Sequence, residues 1–192
     1  WAGADLVCAA VPIPAAVDAI ETWAPAADEA IVDVTGTMTD PLAAMRAHAP
    51  DVERASLHPL FAPENEPGNV PLVVDAGGPT VETLVEAIVA RGNVRYETTA
   101  SEHDEAMETV QARTHAAVLA YALAAEPVPE PLHTPISAGL QDLVDQVTDG
   151  EARVYADIQT AFDGAADVAD AARDLADADA AAFEQLYEDA GE

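Results

Sequence analysis

The sequence predicts an α/β segment followed by an all-α segment, with the join near residue 98. Three observations carry that reading. Short apolar runs alternate with amphipathic stretches over residues 1–98. Beyond about Ser101 no strand pattern returns. Half of the 192 residues are hydrophobic, enough to build a core at this length.

Leu6 to Pro12 reads as a buried strand stopped by proline, and Ala15 to Trp23 as a short helix. Ala30 to Thr35 reads as a second buried strand. Asp40-Pro41 opens the next helix, with an aspartate cap and proline in the first turn. A third strand, Ala55 to Pro59, ends at His58. Pro71 to Asp75 is a fourth strand. Thr80 to Ala90 is a helix stopped by Gly92, and Val94 to Glu97 closes the set. Strand and helix alternating at this spacing predict a parallel sheet with helices on its faces. The remainder reads as helices: from about Ser101 to Ala125, from Thr134-Pro135 to Gly150, from Glu151 to Phe162, and from Ala166 to Tyr187. The last carries an apolar stripe through Val168, Ala172, Leu175, Ala182, Phe183 and Leu186.

The 36 acidic residues face only 7 basic ones, all arginine, for a formal net charge of −29. Nucleic acid and anionic membranes would repel such a surface, so neither is an expected partner. The acids sit between periodic apolar residues rather than in blocks, which points to folding rather than disorder. A lysine-free acidic surface suits multimolar salt, where screening removes self-repulsion; an acidic binding surface is the alternative. Cys8 is the only cysteine. It allows no intrachain disulfide and no thiolate zinc cluster, in keeping with a reducing cytoplasm. Leu6 to Ile13 is too short to span a membrane, and no basic region precedes it. The chain begins with Trp1 rather than Met, as an excerpt or processed product would.

His58 ends a strand, and ligands gather at the carboxyl ends of strands in open α/β sheets. A turn histidine bonded to backbone is the alternative. His103, between Glu102 and Asp104, reads as a helix-start residue. His115 reads as a core histidine among Val110, Ala116, Val118 and Leu119. The two stand about 120° apart around a helix, so they do not form a chelating pair. His48 and His133 read as surface or loop residues, and Arg91 and Arg95 as solvated. Arg113 and Arg153 are candidates for an anionic ligand, with ion pairing to nearby acids as the alternative.

Three stretches resemble a known family in family order and at roughly family spacing. Ser56-Leu57-His58-Pro59-Leu60-Phe61 resembles the histidine-proline motif of prephenate dehydrogenases. Glu102 to Met107 with Val110-Gln111-Ala112-Arg113-Thr114-His115 is similar to that family's helix motif, and Val154 to Ile158 to its third signature. Ala4 to Pro14 and Ile31 to Met45 resemble its nucleotide domain. The resemblance implies a Rossmann-like dinucleotide-binding portion over 1–98 and a helical substrate and dimerisation domain over 99–192. It implies an oxidoreductase of tyrosine biosynthesis in the cytoplasm, acting on prephenate, or arogenate in a close variant. Carbon dioxide leaves and a hydride passes to NAD or NADP, giving 4-hydroxyphenylpyruvate from prephenate.

In that family's pattern His58 takes the substrate proton and His115 helps to hold the substrate. Val11, Pro12 and Ile13, with Asp33 and Val34, line the cofactor side. Relatives often place a serine where Gly36 stands, so Thr35 or Thr37 is expected to supply the hydroxyl. A lysine of the family aligns with Met38, and a carboxylate-binding arginine with Gln146, leaving Arg113 or Arg153 to compensate. No metal is implied. The chain has no G-x-G-x-x-G after a strand, so it is expected to begin after the phosphate-binding turn. The second reading is a catalytically impaired remnant acting as a dimeric ligand-binding or structural protein.

Overall fold

The computed structural model describes residues 3–191; Trp1 lies outside them. The chain divides into two compact units, one up to Met107 and one from Glu108 onward. The strands end at Glu97, and the division by contacts falls after the next helix.

The first unit is a five-stranded sheet in the order β1 (Ala4–Ala9), β2 (Ala27–Asp33), β3 (Glu53–Leu57), β4 (Asn69–Ala76) and β5 (Val94–Glu97). Helix α1 (Ala16–Trp23) connects β1 to β2, and α2 (Thr39–His48) connects β2 to β3; both strand pairs are parallel. Strand β4 departs from the expected all-parallel sheet, because it runs antiparallel to β3. The reason is the connection. Residues 58–68 hold Pro59, Pro63 and Pro67 and form only a short 3-10 turn at Pro63–Asn65, with no helix to carry the chain back across the sheet. Helix α3 (Pro79–Ala90) then returns the chain, and β5 lies parallel to β4.

The sheet is covered on both faces. Ala30 and Val32 of β2 join Ala55, Leu57, Val70 and Leu72 beneath Val81 and Val85 of α3. The intervening Ile31 points the other way, into a core with Ala9, with Ile20 of α1 and with Met45 of α2. This two-residue alternation puts one strand into both cores. Ala30, Ile31 and Val32 are each fully buried. Burial of such an isoleucine or valine stabilises by roughly 1.5–3 kcal/mol.

Two helix starts of this unit are held by acids from elsewhere in the chain. Asp40, expected to cap α2, lies inside the helix, and the capping position is Met38, whose side chain makes no cap bond. The Met38 and Thr39 N–H groups instead donate to the Asp104 carboxylate at 2.9 and 3.0 Å. Likewise the Thr80 and Val81 N–H groups at the start of α3 donate to Glu53 of β3 at 3.3 and 2.7 Å. Helix α4 (Ala100–Met107) has a reciprocal cap: Glu102 N–H donates to the Thr99 hydroxyl, and Thr99 N–H to the Glu102 carboxylate.

In the second unit a π-helical stretch, Glu108–Arg113, precedes α5 (Thr114–Ala124) within what the sequence presents as one long helix. Helices α6 (Pro135–Thr148) and α7 (Ala152–Ala161) follow. Thr134 caps α6 in a reciprocal pair with Ser137. The helix expected over 166–187 is two helices, α8 (Ala165–Asp177) and α9 (Ala180–Asp189). Asp179 separates them by accepting from the Ala181 and Ala182 N–H groups.

Asp75 of β4 accepts from Arg46 at 2.7 Å and from Arg54 at 2.8 Å. Burial pushes its carboxyl upward, but the two guanidinium groups outweigh burial and hold it below the ordinary carboxylate value. A carboxylate with a depressed folded pKa adds stability above its unfolded value and loses it as pH falls through the folded one. Asp75→Asn is therefore expected to lower the urea midpoint near pH 7 and to flatten its decline toward about pH 3. Equal acid limbs in the two proteins would remove this role from Asp75.

Candidate active site

Three chain turns meet at one end of the first unit. The first follows β1, where Val11, Pro12 and Ile13 are half-buried and lead into a 3-10 turn, Ile13–Ala15. The second follows β2. Asp33 is fully buried, and its carboxylate accepts from the Thr35 hydroxyl at 2.6 Å and from the Thr35 N–H at 3.0 Å. Burial raises the Asp33 pKa against the pull of those bonds. The Asp33 carboxylate and the Thr35 hydroxyl thus bind each other and shape the turn. Val34 and Thr37 are half-buried. Gly36 has φ +102°, in the left-handed region where a side chain is strained. A Cβ there would lie 3.5 Å from His58 Nε2 and 3.5 Å from Ile13 Cδ1, so the glycine leaves a methyl-sized space between them.

The third turn follows β3 and begins with His58. Its N–H donates to the Pro71 carbonyl at 2.9 Å, continuing the β3–β4 ladder by one residue. The residue is 8% exposed. Burial, then the repulsion from His103 when that ring carries a proton, lower its pKa to about 4, with Asp104 pulling the other way. The imidazole is therefore neutral near pH 7, the state in which a histidine accepts a proton.

His103 does more than begin a helix. It is 3% exposed, and its Nε2 lies 3.0 Å from His58 Nδ1, with the rings edge to face. Its Nδ1 lies 2.8 Å from Asp104 Oδ1. The local sequence gives no sign of this, but the strand register does. Leu57 pairs with Leu72, and Leu72 with Glu97, so β5 ends level with β3 and α4 starts beside His58. Asp104 is held below the ordinary carboxylate value: burial raises it, and the bonds from His103, Thr39 and Met38 outweigh burial.

The second unit gathers the other expected residues around α5 and α7. The His115 ring meets the Tyr155 ring edge to face, with centroids 4.8 Å apart. The two helical stretches that carry the resemblance therefore touch. His115 Nδ1 is buried with no hydrogen-bond partner among the described residues, and burial lowers its pKa. Gln159 ties the same pair together by donating to the Ala112 carbonyl at 2.8 Å. Arg113 binds Asp167 through Nε and Nη2, at 2.9 and 2.6 Å, and donates to Thr109 through Nη1. Its donors are engaged inside the unit, as in the ion-pair alternative. Gln146 on α6 and Arg153 on α7 are exposed. Arg91 is exposed, as expected, and also forms an ion pair with Glu66. Among the described residues no group of three or more His, Cys, Asp or Glu is placed to hold a metal.

In a histidine NMR titration, the resonances that disappear in His58→Gln should titrate near pH 4, well below the ordinary value of about 6.5. A midpoint near neutrality would mean that the ring is solvated.

No family model matches the chain. Among curated proteins it is 35% identical over 182 residues to a 4-amino-4-deoxyprephenate dehydrogenase of Streptomyces pristinaespiralis. That match covers 85% of the chain and 59% of the relative's length. Among solved structures, the prephenate dehydrogenase of A. aeolicus in complex with hydroxyphenyl propionate and NAD+ superposes with a TM-score of 0.63 at 13% identity, over 86% of this chain and 64% of that one. The Synechocystis arogenate dehydrogenase superposes with a TM-score of 0.57 at 17% identity, over 91% and 69%. The solved structures show the shared Rossmann-like fold with its helical continuation. In sequence the chain is similar to a 4-amino-4-deoxyprephenate dehydrogenase, and in fold to a prephenate and an arogenate dehydrogenase.

Proposed function

We propose that this chain is the catalytic portion of an NAD- or NADP-dependent dehydrogenase acting on prephenate or a close analogue such as arogenate. The observation that carries the reading is His58: a buried, neutral imidazole at the carboxyl end of β3, beside the turns after β1 and β2. The 35% identical relative acts, by its name, on an amino analogue of prephenate. Substrates of this class carry a ring substituent whose proton must leave as the ring is oxidised. His58 takes that proton, and the electrons of the departing C–H bond leave as hydride while carboxylate leaves as carbon dioxide.

A bound nicotinamide would accept the hydride. The residues present fit its reacting ring: Val11, Pro12 and Ile13 offer a half-buried wall, and the bare Gly36 leaves room beside His58. Asp33 and Thr35 support the site by shaping the turn. Thr37 is the remaining hydroxyl there, half-buried rather than tied to Asp33. His115 is assigned to substrate binding. Arg113 would join it only by exchanging Asp167 for the substrate carboxylate, and Gln146 would offer an amide where the family uses a charge.

The same reading makes the protein a cytoplasmic homodimer adapted to high salt. Leu123, Ile136, Leu143 and Phe183 of the second unit are exposed, and a second copy would cover them. The absence of lysine and the charge of −29 favour a solvent rich in cations.

Purified protein in multimolar KCl is expected to reduce NAD or NADP in the presence of prephenate or arogenate. His58→Ala should lower turnover by about 10²–10⁴-fold, the share of a positioned general base. Turnover untouched by His58→Ala would overturn the assignment. Sedimentation should give twice the chain mass in that buffer, and a monomer would remove the dimer. The second reading, an impaired remnant, is favoured by the Arg113–Asp167 pair and by Gly36, Met38 and Gln146. It would be upheld by folded protein that binds a substrate analogue without turning it over.

A further inference from the structure

We infer that His103 and Asp104 form a positioning pair that fixes the tautomer of His58 and receives the charge arising there when His58 takes a proton. The inference rests on the reading of His58 as the proton acceptor, but its geometry stands alone. Asp104 accepts from the Met38 and Thr39 N–H groups and lies 2.8 Å from His103 Nδ1. A carboxylate only accepts hydrogen bonds, so His103 Nδ1 carries the proton. The other ring nitrogen of a neutral His103, Nε2, then bears a lone pair. It lies 3.0 Å from His58 Nδ1, so the single proton between the two rings sits on His58 Nδ1. That leaves the lone pair of His58 on Nε2, the nitrogen that borders the Gly36 space.

The chain of donors points one way, from His58 through His103 to Asp104. When the substrate hydroxyl gives its proton to Nε2, the Nδ1 proton can pass to His103 Nε2. His58 becomes neutral again, and the positive charge comes to rest on the ring beside the Asp104 carboxylate. No proton is gained or lost in the transfer between rings. The other charged neighbour of the pair is Asp33, buried on β2, whose carboxylate is also sensitive to His103. Both rings are buried, so bulk water does not take the place of this path.

The test is nitrogen-15 NMR of the imidazoles in the whole chain, with His58 and His103 assigned through His58→Gln and His103→Gln. Wild-type protein near pH 7 should show His58 protonated on Nδ1 and unprotonated on Nε2. Asp104→Asn removes the negative charge that holds the His103 proton on Nδ1, so the His58 proton should shift toward Nε2. Turnover should then fall by roughly 10²–10⁴-fold, as when a catalytic histidine is held in the wrong tautomer, with KM little changed. His103→Gln, whose carbonyl still accepts from His58 Nδ1, should keep the wild-type tautomer and lose far less than His103→Leu. This pair decides the matter if Asp104→Asn does not fold. A wild-type His58 protonated on Nε2, or a tautomer indifferent to Asp104 and His103, would overturn the inference. The expected tautomers in a chain that turns over neither prephenate nor arogenate would uphold the pair and sink the dehydrogenase reading.

Discussion

The Asp104 carboxylate accepts hydrogen bonds from the first N–H groups of α2 and from the ring of His103. The turn after β2 and the start of α4 are therefore tied through one side chain. Those two elements bring Gly36 and His103 to opposite nitrogens of His58. A carboxylate suits the place for two reasons: it accepts several bonds at once, and the partial positive charge at a helix start favours it. The geometry around His58 thus depends on a residue outside the strand that carries it.

The same physics gives part of the acidic composition a structural use. Asp104 and Glu53 close helix starts that lack caps of their own, and Asp179 and Glu102 close theirs locally. Unsatisfied N–H groups at four helix ends are met by acids rather than by serine or threonine alone. The arginines take another share: Asp75, Glu66 and Asp167 are each bound by guanidinium groups. With only 7 arginines for 36 acids, guanidinium groups can partner only a minority of them.

Much of the fold is legible in the sequence because its signals are local. Ile31-Val32 and the Val70 to Leu72 run are apolar and buried, and Gly92, with φ +95°, ends α3 where the pattern stops. The antiparallel turn of β4 is less visible. Its one sign is the missing helix between His58 and Asn69, and strand periodicity alone carries no direction. The Asp40 cap misleads because the helix start is met by a residue 66 positions from Met38. At the site, His58 is legible from its place at a strand end. His103 is not, because its meaning comes from the register that sets Glu97 level with Leu57. Arg113 reads equally as ligand or ion-pair partner in sequence, and only the position of Asp167 separates the two.

Cys8 lies on β1, the edge strand of the sheet, and is exposed. Crowding by its neighbours and the Asp33 charge raise its thiol pKa. It is also the sole thiol of a chain without a single ε-amine. Amine-directed labels and cross-linkers therefore find almost nothing to attack, whereas a thiol reagent at mildly alkaline pH marks one atom. A dye or spin label placed there would report directly on whatever strand comes to lie along that edge.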